Sequence, residues 1–215
     1  MKWSRHEHGS HGRAGYHHGN LREALIEAAL ALIAANGSSG FTFAEAARQA
    51  GVSPAAPYRH FRDREELLAD VAQLGFGHFE AELALAWNQG APDALTALGN
   101  IGKAYLNFAR TQPGYYAAMF EAGIPLNATP ALREASDRAF AILRNAADQV
   151  IAKLPDGKRP PALMVALHIW SLSHGIASLF GGRNAVQRAL PMSPEDLLEA
   201  GVLVYLQGLG LSKPA

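Results

Sequence analysis

Signals for the start of an α-helix recur along this chain and constrain its fold more than any other feature. A side chain that accepts hydrogen bonds precedes each of several segments with apolar residues at helical spacing. Three starts carry an acidic residue three positions later, as in a capping box, and three carry proline at the first helical position. The start signals are Asn20/Glu23, Thr42/Glu45, Ser53-Pro54, Asp63/Glu66, Thr129-Pro130 and Ser193-Pro194. Strand-forming residues are sparse, so the sequence predicts an all-α protein of about nine helices.

The composition is that of a globular protein with a sizeable core, since 49% of the 215 residues are hydrophobic and 18% are charged. Cysteine is absent. This excludes disulfides, thiol nucleophiles and Cys-ligated metal sites, and it fits a reducing compartment. Residues 1–20 are polar and lack the apolar core of a signal peptide, so we expect a cytoplasmic protein.

The net charge is zero, but its distribution is uneven. Residues 1–64 hold eight Lys and Arg against five Asp and Glu, with six of the nine histidines, whereas residues 65–215 hold eleven against fourteen. A basic N-terminal third joined to an acidic remainder is expected when one end of a protein meets phosphate.

Residues 20–62 encode three helices, predicted at 20–36, 42–50 and 53–60. The last two are short, and the tight turn between them contains Gly51. This is the layout of a helix-turn-helix unit, in which the last helix enters the major groove of DNA.

A fourth helix is predicted from Asp63 to about Trp87, with a bend expected at Gly75 and Gly77. Further helices are predicted at Asp93–Thr111, Tyr115–Phe120, Thr129–Lys153, Ala162–Phe180 and Pro194–Gly208.

The segment from Leu163 to Phe180 is apolar enough for a membrane span to be considered. His168, His174 and three serines argue against a span, and the flanks have no aromatic belt. We therefore expect a helix buried on all sides, with a second subunit as one possible covering.

The stretch "NLREALIEAALALIAANGSSGFTFAEAARQAGVSPAAPYRHFRDREELLADVA" resembles the N-terminal DNA-binding domain of TetR-family transcriptional regulators. The shared pattern is a first helix, then Gly-Phe-Thr, Ala-x-x-Ala-Gly-Val-Ser and Tyr-x-His-Phe. "YHHGN" before it is typical of one branch of the family. Trp170 and the His174-Gly175 pair are similar to the Trp…His-Gly helix of that branch's ligand domain.

The resemblance implies an all-α homodimer that binds operator DNA and releases it when a small molecule enters the C-terminal domain. It gives a disordered His-rich arm at 1–16, a DNA-binding domain at 17–64 and a ligand-binding and dimerisation domain at 65–215. The helices at 162–180 and 194–208 are expected to pair with their copies as a four-helix interface.

The DNA contacts are expected from the third helix and its neighbours. Ser53 and the apolar residues after it would face base edges, but they have little capacity for direct readout of the sequence. Tyr58 and His60 would bind phosphates, and Arg59 would bind either a phosphate or a base. Arg64 is expected to grip one phosphate, and Thr42 is equally well explained as a helix cap. The full set of candidates is Thr42, Arg48, Ser53, Pro54, Ala55, Ala56, Tyr58, Arg59, His60 and Arg64.

Pro57 complicates the third helix, because it lacks an N–H and disfavours helical backbone at Ala56. Either the helix begins late, near Ala55 or Ala56, or its first turn is distorted. Phe61 and Leu67 are predicted to be core.

Large aromatic and Met side chains guide the expectation for the ligand domain, where an apolar cavity with a few polar groups is predicted. His174 or Tyr105 would orient a polar end of the ligand. The candidates are Phe76, Phe79, Trp87, Tyr105, Phe108, Tyr116, Met119, Phe120, Trp170 and His174.

Two alternatives to a ligand-responsive repressor are open. An enzyme is disfavoured, because no catalytic signature or phosphate-binding Gly loop is present, and no cofactor is expected. A metal-responsive regulator would use the N-terminal histidines, although a mobile arm lying along DNA explains them more simply. Those histidines are His6, His8, His11, His17 and His18.

Overall fold

In the computed structural model, which describes residues 21–181 and 191–211, every regular element of the described chain is helical. This confirms the predicted all-α class. Single-turn 3₁₀ segments lie at Ala56–Arg59, Asn88–Gly90 and Asp156–Lys158. The α-helices are α1 (Leu21–Asn36), α2 (Phe43–Gln49), α3 (Arg64–Trp87), α4 (Ala94–Thr111), α5 (Pro113–Phe120), α6 (Pro130–Ile151), α7 (Ala162–Phe180) and α8 (Pro194–Gly208).

Side-chain caps open most of the helices, as the sequence predicts. Thr42 and Glu45 form a complete capping box, in which the Thr42 N–H donates to the Glu45 carboxylate at 2.7 Å and the Glu45 N–H donates to Thr42 Oγ1 at 3.2 Å. Asp63 also caps α3, but the predicted box there is wrong. The Glu66 carboxylate accepts instead from the backbone and side chain of Arg62, at 2.7 and 3.1 Å.

The third helix begins late, and the predicted cap at Ser53 is wrong. Ser53 accepts through its backbone carbonyl from the Ala56 N–H at 3.0 Å, and helical structure starts only at the 3₁₀ segment 56–59. Pro57 is the cause, since it cannot donate the N–H that would close a first α-helical turn. Its ring is buried, and its carbonyl accepts from the N–H groups of both His60 and Phe61.

One hydrophobic core runs through the described chain, and α3 is its central element. The first part of α3 contacts α1, and the helix continues against α4, α5 and α6. Leu67, predicted as core, is fully buried, and Phe61 is almost so. Gly75 allows α5 to approach α3, because a Cβ there would lie 2.8 Å from the Met119 sulfur.

The outer face of α7 and α8 is exposed and apolar. This chain buries one face of α7, including Val165 and Ile169, and the expected covering of the other face by a second subunit stays a prediction. Among the described helices, α7 is the one long and apolar enough to cross a membrane by length and composition alone, which the core helix of a soluble protein also satisfies. The exposed apolar side chains of the two helices are Leu163, Met164, Leu167, Leu179, Leu203 and Val204.

Candidate DNA-binding surface and ligand cavity

The turn between α2 and α3 displays its polar residues outward. Tyr58 is 63% exposed, so it is not part of the core, and its ring meets Phe43 of α2 edge-on at 5.0 Å between centroids. Arg59 and His60 are exposed beside it. The 3₁₀ turn therefore presents a phenol, a guanidinium and an imidazole on one continuous surface.

The residues before this group offer little chemistry. Ser53, Pro54 and Ala55 are exposed, and Ala56 is half-buried. Ser53 alone among them has a side chain that forms hydrogen bonds. The start of the segment can therefore contact bases mainly by shape and by apolar contact with a thymine methyl.

The Thr42 side chain forms hydrogen bonds within the protein, whereas the Arg48 side chain is exposed. The Thr42 hydroxyl accepts from the Glu45 N–H and donates to the Glu45 carboxylate at 2.9 Å, so it serves as a cap. These bonds hold the pKa of Glu45 below its usual value. Arg48 is exposed on α2.

Arg64 faces the protein rather than open solvent. Its Nε donates to the Phe41 carbonyl at 2.9 Å, and a terminal nitrogen donates to the Ser38 carbonyl. The guanidinium carbon also lies 4.6 Å from the centroid of the buried Phe41 ring. The sequence pattern indicates a phosphate ligand here, but in this structure the head group ties the loop after α1 to the start of α3.

Arg22 links α1 to α3. Its guanidinium pairs with the Asp70 carboxylate of α3 and lies 5.7 Å from the centroid of the Phe61 ring. Burial raises the pKa of Asp70, and the charge of Arg22 opposes that shift.

An inner cavity of about 150 Å³ lies between α3, α4, α6 and α7. Four of the residues singled out in the sequence line it, namely Phe76, Phe79, Tyr105 and Trp170. An outer groove of about 220 Å³ lies on the outward side of α7, and Trp170 lines this groove as well as the inner cavity. The groove is lined by Phe120, Leu167, Trp170, Ser171 and His174.

Four other candidates line neither space. Phe108 is fully buried against Phe79, Met119 packs on Gly75, and Trp87 closes the end of α3 against Gly90. Tyr116 is also buried, and it packs behind the groove, with its ring 5.9 Å from His174 and 5.0 Å from Phe120 between centroids. Helical spacing marks an inward face but does not tell whether neighbours fill the space beyond it.

Helix α6 supplies a wall of the cavity that the sequence reasoning missed. Phe140 packs on Trp170 with 5.0 Å between ring centroids, and Leu143 lies one turn further on. Both lie on the inward face of a helix whose opposite side is polar, which is the signal that could have found them.

A polar cluster of four side chains joins the cavity to the groove. The hydroxyls of Tyr105 and Tyr116 lie 2.8 and 3.0 Å from Nδ1 of His174, and Trp170 Nε1 donates to the Tyr105 hydroxyl at 3.3 Å. Burial raises the pKa of both tyrosines and lowers the pKa of His174. The cluster is therefore neutral at pH 7, and its phenols and imidazole can each donate or accept a hydrogen bond.

The inner cavity carries little charge. Asp137 is its one charged lining residue in the described chain, and that side chain is 73% exposed and 3.8 Å from Arg133. The Ser136 and Ser173 hydroxyls donate to carbonyls of their own helices at 2.8 and 2.9 Å. Such a lining suits a neutral, mainly apolar molecule.

The His-rich arm at 1–16, together with His17 and His18 of the alternative metal-responsive hypothesis, lies outside the described residues. Among the described residues, no group of three or more His, Asp or Glu side chains could hold a metal ion.

Two family models match the chain. Residues 25–71 match the model described as bacterial regulatory proteins of the tetR family, and residues 98–205 match the tetracyclin repressor-like C-terminal domain. The second match alone spans half of the sequence.

Individual proteins are also similar to this chain. The HTH-type transcriptional regulator YobS of Bacillus subtilis is 24% identical over 198 residues, which cover 89% of this chain and 93% of YobS. The regulator BetI of Rhizobium meliloti is 47% identical over 70 residues, about a third of each chain. A Rhodococcus protein of unknown function superposes with a TM-score of 0.74 and 28% identity, covering 91% of this chain and 98% of that one.

Proposed function

Because this chain belongs to the TetR family of bacterial transcriptional regulators, we propose that it is a ligand-responsive repressor. In this proposal a homodimer binds a palindromic operator in the cytoplasm and releases it when a neutral small molecule enters the inner cavity. The family is one of DNA-binding regulators and not of enzymes, so the enzyme alternative is set aside.

The observation that carries the proposal is the position of α5 between the cavity and the DNA-binding helices. At one end, Gly114 lies so close to α1 that a Cβ there would be 3.0 Å from the Leu30 carbonyl oxygen. Further along, Tyr116 hydrogen-bonds His174, and Phe120 lines the outer groove. A ligand that moves these rings therefore shifts α5 against α1, and the packed interface transmits the displacement.

DNA binding is assigned chiefly to the sugar–phosphate backbone. Tyr58, Arg59 and His60 are placed on phosphates, and Arg48 at the edge of the same surface. Arg64 supports them by holding the loop between Ser38 and Phe41. Because the residues before Tyr58 read bases weakly, sequence preference comes mainly from the shape and deformability of the operator.

Dimerisation is assigned to the exposed apolar face of α7 and α8. A contiguous face of this kind on two adjacent helices is typical of an interface rather than of a free surface. Pairing with the same face of a second copy buries it in a four-helix arrangement about a two-fold axis.

The test begins with operator selection from random DNA, followed by light scattering of free and bound protein. We expect twice the chain mass in solution, a palindromic site, and one dimer per site. A monomer, or a selected site without two-fold symmetry, would contradict the dimeric repressor. Mass spectrometry of small molecules extracted from the purified protein then supplies the effector, and its addition should release the operator.

A further inference from the structure

The indole of Trp170 lies at the boundary between two spaces. Among the described residues, Trp170 alone lines both the inner cavity of about 150 Å³ and the outer groove of about 220 Å³. Tyr105 lies on the inner side of this partition and His174 on the outer side.

The inner cavity is small for a regulatory ligand. A cavity of about 150 Å³ holds a molecule the size of benzene, whereas ligand pockets usually measure about 300–1,000 Å³. The cavity and the groove together reach that range, and the Tyr105–His174 contact lies at their junction. A ligand that fills both spaces must pass the position of the indole.

The partition is weakly held. The Trp170 Nε1–Tyr105 hydroxyl distance of 3.3 Å is long for an N–H···O bond, while the neighbouring Tyr105–His174 contact is 2.8 Å. The indole is half-buried, with Phe140 on one side at 5.0 Å and Phe120 at 6.3 Å between ring centroids. Rotation of the indole breaks that long bond and leaves the Tyr105–His174 contact in place.

The outer groove is open on the face of α7 that the proposed dimer covers. Leu167 and Ser171, which form its outer wall, are exposed in the single chain, and Leu167 is 44% exposed. A second copy on this face closes the groove, so the combined site is incomplete without the partner.

We infer that the effector is an elongated neutral molecule that occupies both spaces at once. It displaces the Trp170 indole, places a hydrogen-bonding group at Tyr105 and His174, and extends an apolar arm along Leu167 to the dimer interface. This inference rests on the proposed function, and it adds the ligand class and the participation of the second copy.

Alkyl benzoates from methyl to pentyl are suitable probes, because the ring fits the inner cavity and only the outward arm lengthens. Binding is measured by calorimetry on the full chain. Each added methylene that becomes buried should raise affinity about fourfold. Displacement of Trp170 should also change tryptophan emission for the longer esters, and Trp170→Phe identifies that part of the signal among the three tryptophans.

A matched pair of variants locates the arm. Leu167 lines the groove, and Leu163, one turn earlier on the same exposed face, does not. Leu167→Ala should reduce the gain from methyl to pentyl benzoate by about tenfold, while Leu163→Ala should leave it unchanged. Light scattering of both variants checks that each remains a dimer.

The outcomes separate the two proposals. If methyl benzoate binds and longer esters do not, the inner cavity holds the ligand alone and the combined site is wrong, although the repressor proposal stands. If no ester binds at any length, the neutral ligand class is wrong. If the protein is a monomer, closure by a second copy fails together with the proposed dimer.

Discussion

Replacement of Arg64 by alanine separates two roles of this residue that predict opposite results. The structure shows one guanidinium bond to the Phe41 carbonyl at 2.9 Å, a second to the Ser38 carbonyl, and a contact of 4.6 Å with the Phe41 ring. Each hydrogen bond at this half-buried site is worth about 1 kcal/mol, and the ring contact about 0.5 kcal/mol. Arg64→Ala should therefore lower the free energy of unfolding by about 2.5 kcal/mol and the Tm by about 5–10 °C.

The salt dependence of operator binding discriminates between the roles. A residue that only positions the loop weakens binding to every operator but leaves the slope of log K against log salt unchanged. A residue that neutralises a phosphate reduces that slope by about one. We therefore expect Arg64→Ala to keep the wild-type slope. Arg59→Ala, on the exposed 3₁₀ turn, should reduce the slope by about one and change the free energy of unfolding by less than about 0.5 kcal/mol.

Urea unfolding and fluorescence anisotropy at four or five salt concentrations provide both measurements. Arg64→Lys is a useful third variant, because it keeps the charge but not the planar fork that reaches two carbonyls. It should lose stability almost as alanine does. A reduced salt slope in Arg64→Ala with unchanged stability would refute the positioning role and restore the phosphate contact.

Three further predictions concern the buried groups and the helix contacts. Burial raises the pKa of Asp70 above the 3.8 of a free carboxyl. Ionisation of Asp70 therefore opposes folding, and the stability contributed by this site falls as pH rises above 3.8. Urea titrations at several pH values should show that Asp70→Asn removes this dependence. Burial lowers the pKa of His174 below 6.5, so the stability contributed by this site is present above pH 6.5 and is lost as pH falls below it. His174→Gln should flatten the dependence of Tm on pH below 6.5. An unchanged dependence would contradict the neutral cluster. Gly114→Ala places a Cβ 3.0 Å from the Leu30 carbonyl oxygen. It should lower the free energy of unfolding in urea by about 1–3 kcal/mol and impair operator release. Gly99→Ala is the control, because a Cβ there meets nothing within 4 Å, and it should raise the free energy of unfolding by up to about 1 kcal/mol.

The fold was largely predictable because its signals are local. Caps and prolines lie within one turn of the helix ends they specify, so the bounds of α7 and α8 agree with the pattern at both ends. The late start of the third helix, one of the two outcomes predicted from Pro57, also has a local cause. Ser53-Pro54 is a valid start by itself, but Pro57 prevents the first turn from closing, so helical structure begins at Ala56.

The site was less predictable because it depends on contacts between helices distant in sequence. Phe108 and Phe140 look alike as aromatic residues on inward helix faces, yet neighbours enclose Phe108 and leave space beside Phe140. The role of the charged residue Arg64 was hard to predict from the sequence for the same reason. Its position in the pattern indicates phosphate, and only the fold brings the carbonyls of Ser38 and Phe41 within its reach.

The weak base readout of the 3₁₀ turn has a consequence for how a ligand can act. Contacts to phosphate are available on every DNA sequence, so the contacts proposed for Tyr58, Arg59 and His60 would support binding anywhere along a duplex. In the proposed dimer, preference for one site then depends on whether the two turns meet successive major grooves, about 34 Å apart, on DNA of suitable shape. The proposed shift of α5 against α1 would change that separation without altering the contacts themselves. In the proposed repressor, a ligand therefore lowers preference for the operator more than it lowers general affinity for DNA.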